Sequence, residues 1–124
     1  MPIRLARKAI GALIIGIDKL TSPSGPARSI EQQTIIDQKT SGLKIYEMLA
    51  CPFCVKVRRE VKRLGLNIAR VDVKKQADEM TTLVNQGGKF QVPCLRIEQG
   101  QQLMWLYESD EIIKYLREIC SANN

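Results

Sequence analysis

The sequence contains no histidine. That excludes, within these 124 residues, a cysteine–histidine hydrolase and any metal site built on paired histidines. Aromatic residues are scarce, 5% against 44% hydrophobic overall, so a core must be built mainly from Leu, Ile and Val. No apolar run approaches the ~20 residues needed to span a bilayer. The longest charge-free apolar stretch at the N-terminus, Ala9 to Ile17, falls far short. A second Cys-x-x-Cys is also missing. Of four cysteines, two form a close pair while Cys94 and Cys120 stand alone, so no zinc or other metal is expected. Such usage fits a reducing compartment, with the pair catalytic rather than structural. The length suits one small domain.

Acidic residues are outnumbered 13 to 19, a formal net charge of +6. The surplus is uneven. Residues 1–28 hold Arg4, Arg7, Lys8, Lys19 and Arg28 against Asp18 alone, while the remainder is nearly balanced. The expected partner of that charge is an anionic surface at the leader, not a nucleic acid bound by the fold.

What is present centres on Cys51-Pro52-Phe53-Cys54. A short β-like run, Leu43 to Glu47, leads into a turn, and the cysteines open an amphipathic helical pattern. A Cys-x-x-Cys pair between strand and helix reads as a thiol–disulfide redox site. At the first helical turn, orphan N–H groups and the helix dipole face the Cys51 sulfur and favour the nucleophilic thiolate. Pro52 suits that turn because it has no N–H to lose.

Cys-Pro-Phe-Cys resembles a dithiol glutaredoxin active site. Gln91-Val92-Pro93-Cys94-Leu95 and Glu108-Ser109-Asp110-Glu111-Ile112-Ile113 resemble the Val-Pro and Glu-Ser elements shared by glutaredoxins and the N-terminal domain of glutathione transferases. The resemblance covers roughly Leu43 to Cys120. It implies an α/β, thioredoxin-like (glutaredoxin) fold of order β-α-β-α-β-β-α, a three-layer sandwich, with glutathione as co-substrate. It also implies a cis Val92–Pro93 bond facing the cysteines. The backbone of Val92 would pair with the cysteine part of glutathione, and Glu108, Ser109 and Asp110 at a helix N-terminus would grip its γ-glutamyl end. Cys51 would be the nucleophile and Cys54 the resolving thiol. One departure stands out: many glutaredoxins carry a lysine three residues before the first cysteine, where this chain has Met48.

Along the chain, Ile3, Ala6, Ile10, Leu13, Ile17 and Leu20 recur at spacings of three and four and share one helical face, with Arg4, Lys8, Gly11 and Asp18 opposite. Residues 1–20 therefore read as an N-terminal amphipathic helix. Three roles compete: an in-plane anchor on an anionic membrane, a helix packed on its own domain or a partner, and a secretory signal peptide. Asp18, Lys19 and Pro26 fit the last poorly. Residues 21–41 form a linker by composition. Within it Pro23 ends the helix, and Ser29 to Ser41 is either a short helix (Glu31 to Asp37) or an extended tether. Residues 42–124 are expected to be the domain that resembles glutaredoxin and thioredoxin.

In that domain Leu43–Glu47 is expected as strand one. Helix one follows at Pro52–Leu64, with Val55, Val61 and Leu64 inward and its many cations on a solvated face. Asn67–Val73 reads as strand two. Helix two is Lys75–Gln86, with Met80, Leu83 and Val84 inward. Val92–Ile97 and Leu103–Tyr107 form a hairpin. Ser109–Cys120 is helix three, with Ser109 as its N-cap. Cys94, beside Pro93, either packs as a small apolar residue or forms a competing disulfide. Cys120 is read as incidental.

The expected function is a glutathione-dependent thiol–disulfide oxidoreductase acting on disulfide-containing or glutathionylated proteins. Its expected place is the cytoplasm, peripheral on the inner face of the membrane. Two alternatives differ in class. One is a glutaredoxin-like binding module that carries a bridged iron–sulfur cluster or delivers redox state to a membrane partner. The other is a transferase- or isomerase-like use of glutathione. The 124 residues hold no helical second domain of the transferase kind, which weighs against the latter.

Overall fold

The structure, a computed structural model, describes residues 9–16 and 25–121. A helical segment, α1, covers residues 9–16. Then come α2 (Ile30–Lys39), β1 (Leu43–Glu47), α3 (Pro52–Arg63), β2 (Ala69–Asp72), α4 (Ala77–Gly87), β3 (Cys94–Gln99), β4 (Gln102–Tyr107) and α5 (Ser109–Ser121). The strands form one sheet in the order β2-β1-β3-β4. β1 runs parallel to β2 and antiparallel to β3, and β3 pairs antiparallel with β4.

Side chains alternate across the sheet, and two apolar layers result. Leu43 and Ile45 of β1 with Leu95 and Ile97 of β3 meet Val57 and Val61 of α3, Ile112, Ile113 and Leu116 of α5, and Ile36 of α2. On the opposite face Tyr46, Val71, Val73 and Cys94 pack against Leu83 of α4. Helices thus cover both faces of the sheet. This is the three-layer, thioredoxin-like sandwich that the resemblance implies.

Several local expectations change. Of the two readings of Ser29 to Ser41 the short helix holds, running beyond Glu31 to Asp37 at both ends, and Ile36 is only 2% exposed within the α3/α5 layer. Ser29 and Gln32 form a reciprocal capping box that starts this helix. Arg28 and Gln33 both donate to the Gly65 carbonyl, at 3.1 and 3.0 Å, and fasten α2 to the end of α3. On α3, Val61 points inward and half-buried Leu64 packs on the same layer, as expected; Val57 joins them, and Val55 is half-buried. Its charged run is not wholly a solvated face, because Arg58 and Glu60 are buried. Strand two is trimmed at both ends, α4 begins at Ala77, and Val84 faces outward at 40% exposed. The β3–β4 turn is tighter than expected. Gln99 pairs with Gln102, and Gly100 adopts φ +60°, as a two-residue hairpin turn requires.

In α1 the face turned to the body differs from the apolar stripe. Gly11 lies against Ala50, close enough that a Cβ there would stand 3.2 Å from the Ala50 Cβ. Ile10 and Leu13 are 57% and 61% exposed. Ile3, Ala6, Ile17 and Leu20, the basic residues Arg4, Arg7, Lys8 and Lys19, and the break at Pro23 lie outside the described residues.

Candidate functional site

β1 ends at Glu47, and a short loop carries the chain to Cys51, the N-cap of α3 at φ −74°, ψ 123°. Pro52 occupies the first helical position, and the Cys51 carbonyl accepts the Val55 N–H at 2.9 Å. The Cys51 thiol is half-buried and makes no capping hydrogen bond. One turn on, Cys54 is 1% exposed, and its sulfur accepts the Met48 N–H at 3.5 Å. Burial pushes the Cys54 thiol up to about 12; the Met48 N–H opposes this, while neighbouring Cys51 adds to it. One cysteine is therefore half-exposed at the helix tip and the other buried behind it, with no disulfide between them.

Beneath the loop sits an ion pair. Arg58, on α3, reaches Glu47 at 3.5 Å and donates to the Leu49 carbonyl at 3.0 Å. Glu47 is 2% exposed. Burial raises its carboxyl above the ordinary carboxylate range, with Arg58 and Arg70 pulling it back. The arrangement ties strand, loop and helix together directly under the cysteines. A signal for it exists in the sequence: a carboxylate ending a strand that is apolar apart from Lys44 needs a cationic partner, but nothing in the chain order identifies Arg58.

The Val92–Pro93 bond is cis. Gln91, Val92 and Pro93 share a cleft of about 210 Å³ with Phe53 from the first turn of α3 and with Glu108, Ser109 and Asp110 around the start of α5. Three stretches far apart in sequence thus line one space. The sheet register explains why: Tyr46 pairs with Cys94 and Cys94 with Tyr107, so the strand ends that launch these loops lie side by side.

Ser109 is not the N-cap but the first helical residue, 8% exposed. The Glu108 carbonyl accepts the Ile112 N–H at 3.0 Å, so Glu108 holds the cap position. Its φ of +77° is a left-handed conformation that costs a non-glycine residue on the order of 1 kcal/mol. Asp110 is exposed and paired with Lys56 of α3. The cleft lining contains two carboxylates and no cation. Met48, where the lysine of many glutaredoxins would stand, packs against the Tyr46 cluster instead.

Cys94 is fully buried on the α4 face, among Tyr46, Val71, Val73 and Leu83, while α3 covers the other face. It packs as an apolar residue. Burial pushes its thiol up to about 12, with the Tyr107 hydroxyl and the Lys89 charge pulling back only in part. Cys120 sits near the end of α5, 4.0 Å from an Arg28 nitrogen. A larger groove, about 600 Å³, runs between α2, α3 and α5 past Cys120 and includes none of the expected site residues. Its one acid, Glu60, is held by Arg63 and Arg117. Among the described residues, no group of three or more cysteines and carboxylates is placed to hold a metal ion.

Residues 50–119 match the family model described as glutathione S-transferase, N-terminal domain. The chain belongs to that family. The match covers more than half of the chain, from the residue before Cys51 to nearly the end of α5. No curated protein matches it. Membership agrees with the glutaredoxin-like resemblance and its transferase features, and supports a glutathione-related function, redox or transferase.

Proposed function

We propose that the protein is a glutathione-dependent thiol–disulfide oxidoreductase. The observation that carries this reading is the asymmetric dithiol: Cys51 half-exposed at the tip of α3 and Cys54 buried behind it. In the first step the Cys51 thiolate attacks one sulfur of a substrate disulfide. A Cys51–substrate mixed disulfide forms, and the other substrate sulfur leaves as a thiolate that takes up a proton. For a protein disulfide, Cys54 then loses its proton and attacks the Cys51 sulfur, releasing the second substrate thiol and closing Cys51–Cys54. Two glutathione molecules reopen it: the first forms a mixed disulfide with Cys51, and the second attacks that adduct and departs as glutathione disulfide. The high proton affinity of Cys54 suits it to wait as a thiol while Cys51 reacts.

Glutathione would lie in the cleft between Phe53, Val92–Pro93 and the start of α5. The free N–H groups at that helix end suit its γ-glutamyl carboxylate, and Glu108 and Asp110 suit its ammonium group. The Val92 backbone would pair with its cysteinyl part. The protein would work in the cytoplasm, with residues 1–20 resting on the anionic inner face of a membrane. The leader's charge and the outward Ile10 and Leu13 support that placement.

Trapping tests the chemistry. A Cys54→Ser protein treated with glutathione disulfide is expected to gain one glutathione, on Cys51, by peptide mass spectrometry. An adduct on Cys94 or Cys120 in place of Cys51 would overturn the assignment. The family match also favours a second reading, addition of glutathione to a small electrophile. Conversion of such a substrate that survived Cys54→Ser but not loss of the cleft's Ser109 would support it.

A further inference from the structure

The end of the sheet that carries the cysteines is also an apolar surface. Leu49 and Phe53 in and beside the β1–α3 loop are 37% and 63% exposed, and Phe90 in the α4–β3 loop is 47% exposed. The pairing of Tyr46 with Cys94 brings these two loops to the same sheet end. α1 docks at that end through Gly11 and Ala50, with Ile10 and Leu13 turned outward. A single exposed Leu or Phe means little, but five large apolar side chains gathered at one end mark an interaction surface.

The charges around this surface select its occupant. The leader that α1 belongs to carries Arg4, Arg7, Lys8 and Lys19 against Asp18 within residues 1–20. Lys89, next to Phe90, is exposed and sits over the Tyr107 ring at 4.7 Å. Of the acids at this end, Glu108 and Asp110 line the cleft, with Asp110 paired to Lys56, and Asp72 beside Glu47 accepts the Lys74 N–H. An apolar surface with Lys89 beside Phe90, on a chain whose leader is basic by sequence, suits the headgroup boundary of an anionic bilayer. Among the described residues no helix is long and apolar enough to cross a membrane, so the contact is one of surface and not of span.

We propose that the dithiol end of the domain lies on an anionic bilayer, Leu49 and Phe90 entering the interface beside α1, so that Cys51 meets disulfides presented at the membrane surface. The substrate statement rests on the oxidoreductase reading above; the docking statement does not.

The experiment uses the full chain with vesicles of phosphatidylcholine, with and without phosphatidylglycerol. Wild type, Leu13→Ser and the double variant Leu49→Ser/Phe90→Ser are compared by sedimentation. All three positions are exposed, and circular dichroism checks that the fold is kept. Wild type is expected to bind only vesicles containing phosphatidylglycerol, and each variant to bind roughly tenfold more weakly. Double-variant binding equal to wild type would overturn the proposal while leaving a leader-only anchor standing. Absence of wild-type binding, or equal binding to both vesicles, would overturn both. Reduction of a glutathionylated peptide, free or lipid-tethered, is then measured. The double variant is expected to match wild type on the free peptide and fall behind on the tethered one. Equal rates on the tethered peptide would overturn the substrate statement. Wild type inactive on both peptides would refute the oxidoreductase reading and, with it, the substrate statement; the vesicle result would still decide the docking.

Discussion

Arg58 and Glu47 form a buried ion pair directly beneath the cysteine loop, side chain to side chain at 3.5 Å, with the guanidinium also holding the Leu49 carbonyl. Removing one partner of a buried pair typically costs about 3–5 kcal/mol, and the lower figure applies here because Arg70 stays 3.8 Å from the Glu47 carboxylate. Arg58→Met is therefore expected to lower unfolding stability by about that much, read from urea denaturation, and to loosen the loop that presents Cys51.

The Glu47 carboxyl is raised above its ordinary 4.5, since burial outweighs its cations. A raised group contributes stability that is present below the unfolded value and is lost as pH rises through the folded one. Glu47→Gln is thus expected to gain on wild type as pH is raised from about 4 towards neutrality. A stability difference constant with pH would contradict the assigned direction.

Cys54 and Cys94 are both pushed from 9.0 up to about 12. Their burial as neutral thiols stabilises the fold below pH 9.0, and that contribution is lost progressively as pH rises towards about 12. Chemical denaturation at stepped pH is expected to show a steep alkaline loss, and Cys94→Val, which cannot ionise, to flatten it. At neutral pH, alkylation of the folded protein is expected on Cys51 while sparing Cys54 and Cys94, read by peptide mass spectrometry.

Asp110 is exposed and its pair with Lys56 is solvated, so the pair adds less than about 1 kcal/mol to stability. Under the proposed glutathione pose its carboxylate does its work on the ligand. Asp110→Asn is expected to leave Tm unchanged and to raise the KM for glutathione roughly tenfold, the loss of one charge-assisted hydrogen bond.

Gly42 is fixed by a close backbone approach. Its carbonyl accepts the Glu98 N–H at 2.9 Å, and a Cβ on it would collide with the Glu98 carbonyl. Gly42→Ala is expected to cost about 1–3 kcal/mol, because the obstructing atom is backbone and cannot swing aside.

Much of this was legible in the residues. Leu43–Glu47 reads as a strand and is one, and the spacing of Ile112, Ile113 and Leu116 marks the buried face of α5. Phe53, Gln91 to Pro93 and Glu108 to Asp110 line one cleft, while Cys51 and Cys54 themselves are outside its lining. What stayed hidden depends on partners distant in sequence. Arg58 and Glu60 look like parts of a solvated basic run until Glu47 and Arg117 are brought against them. α2 buries only Ile36, too little to stand out from its polar composition, although its Ser29–Gln32 capping box was there to be read. In α1, periodicity showed which residues share a face but not which face meets the body; Gly11 does, because its lack of a side chain permits close approach to Ala50.

The most direct test of the central claim is reduction of a glutathionylated peptide by glutathione, comparing wild type with Cys51→Ser, Cys54→Ser and Cys94→Ser. The account predicts activity in wild type, Cys54→Ser and Cys94→Ser and none in Cys51→Ser, with Cys54 required only when the substrate is a protein disulfide. Full activity in Cys51→Ser would contradict it.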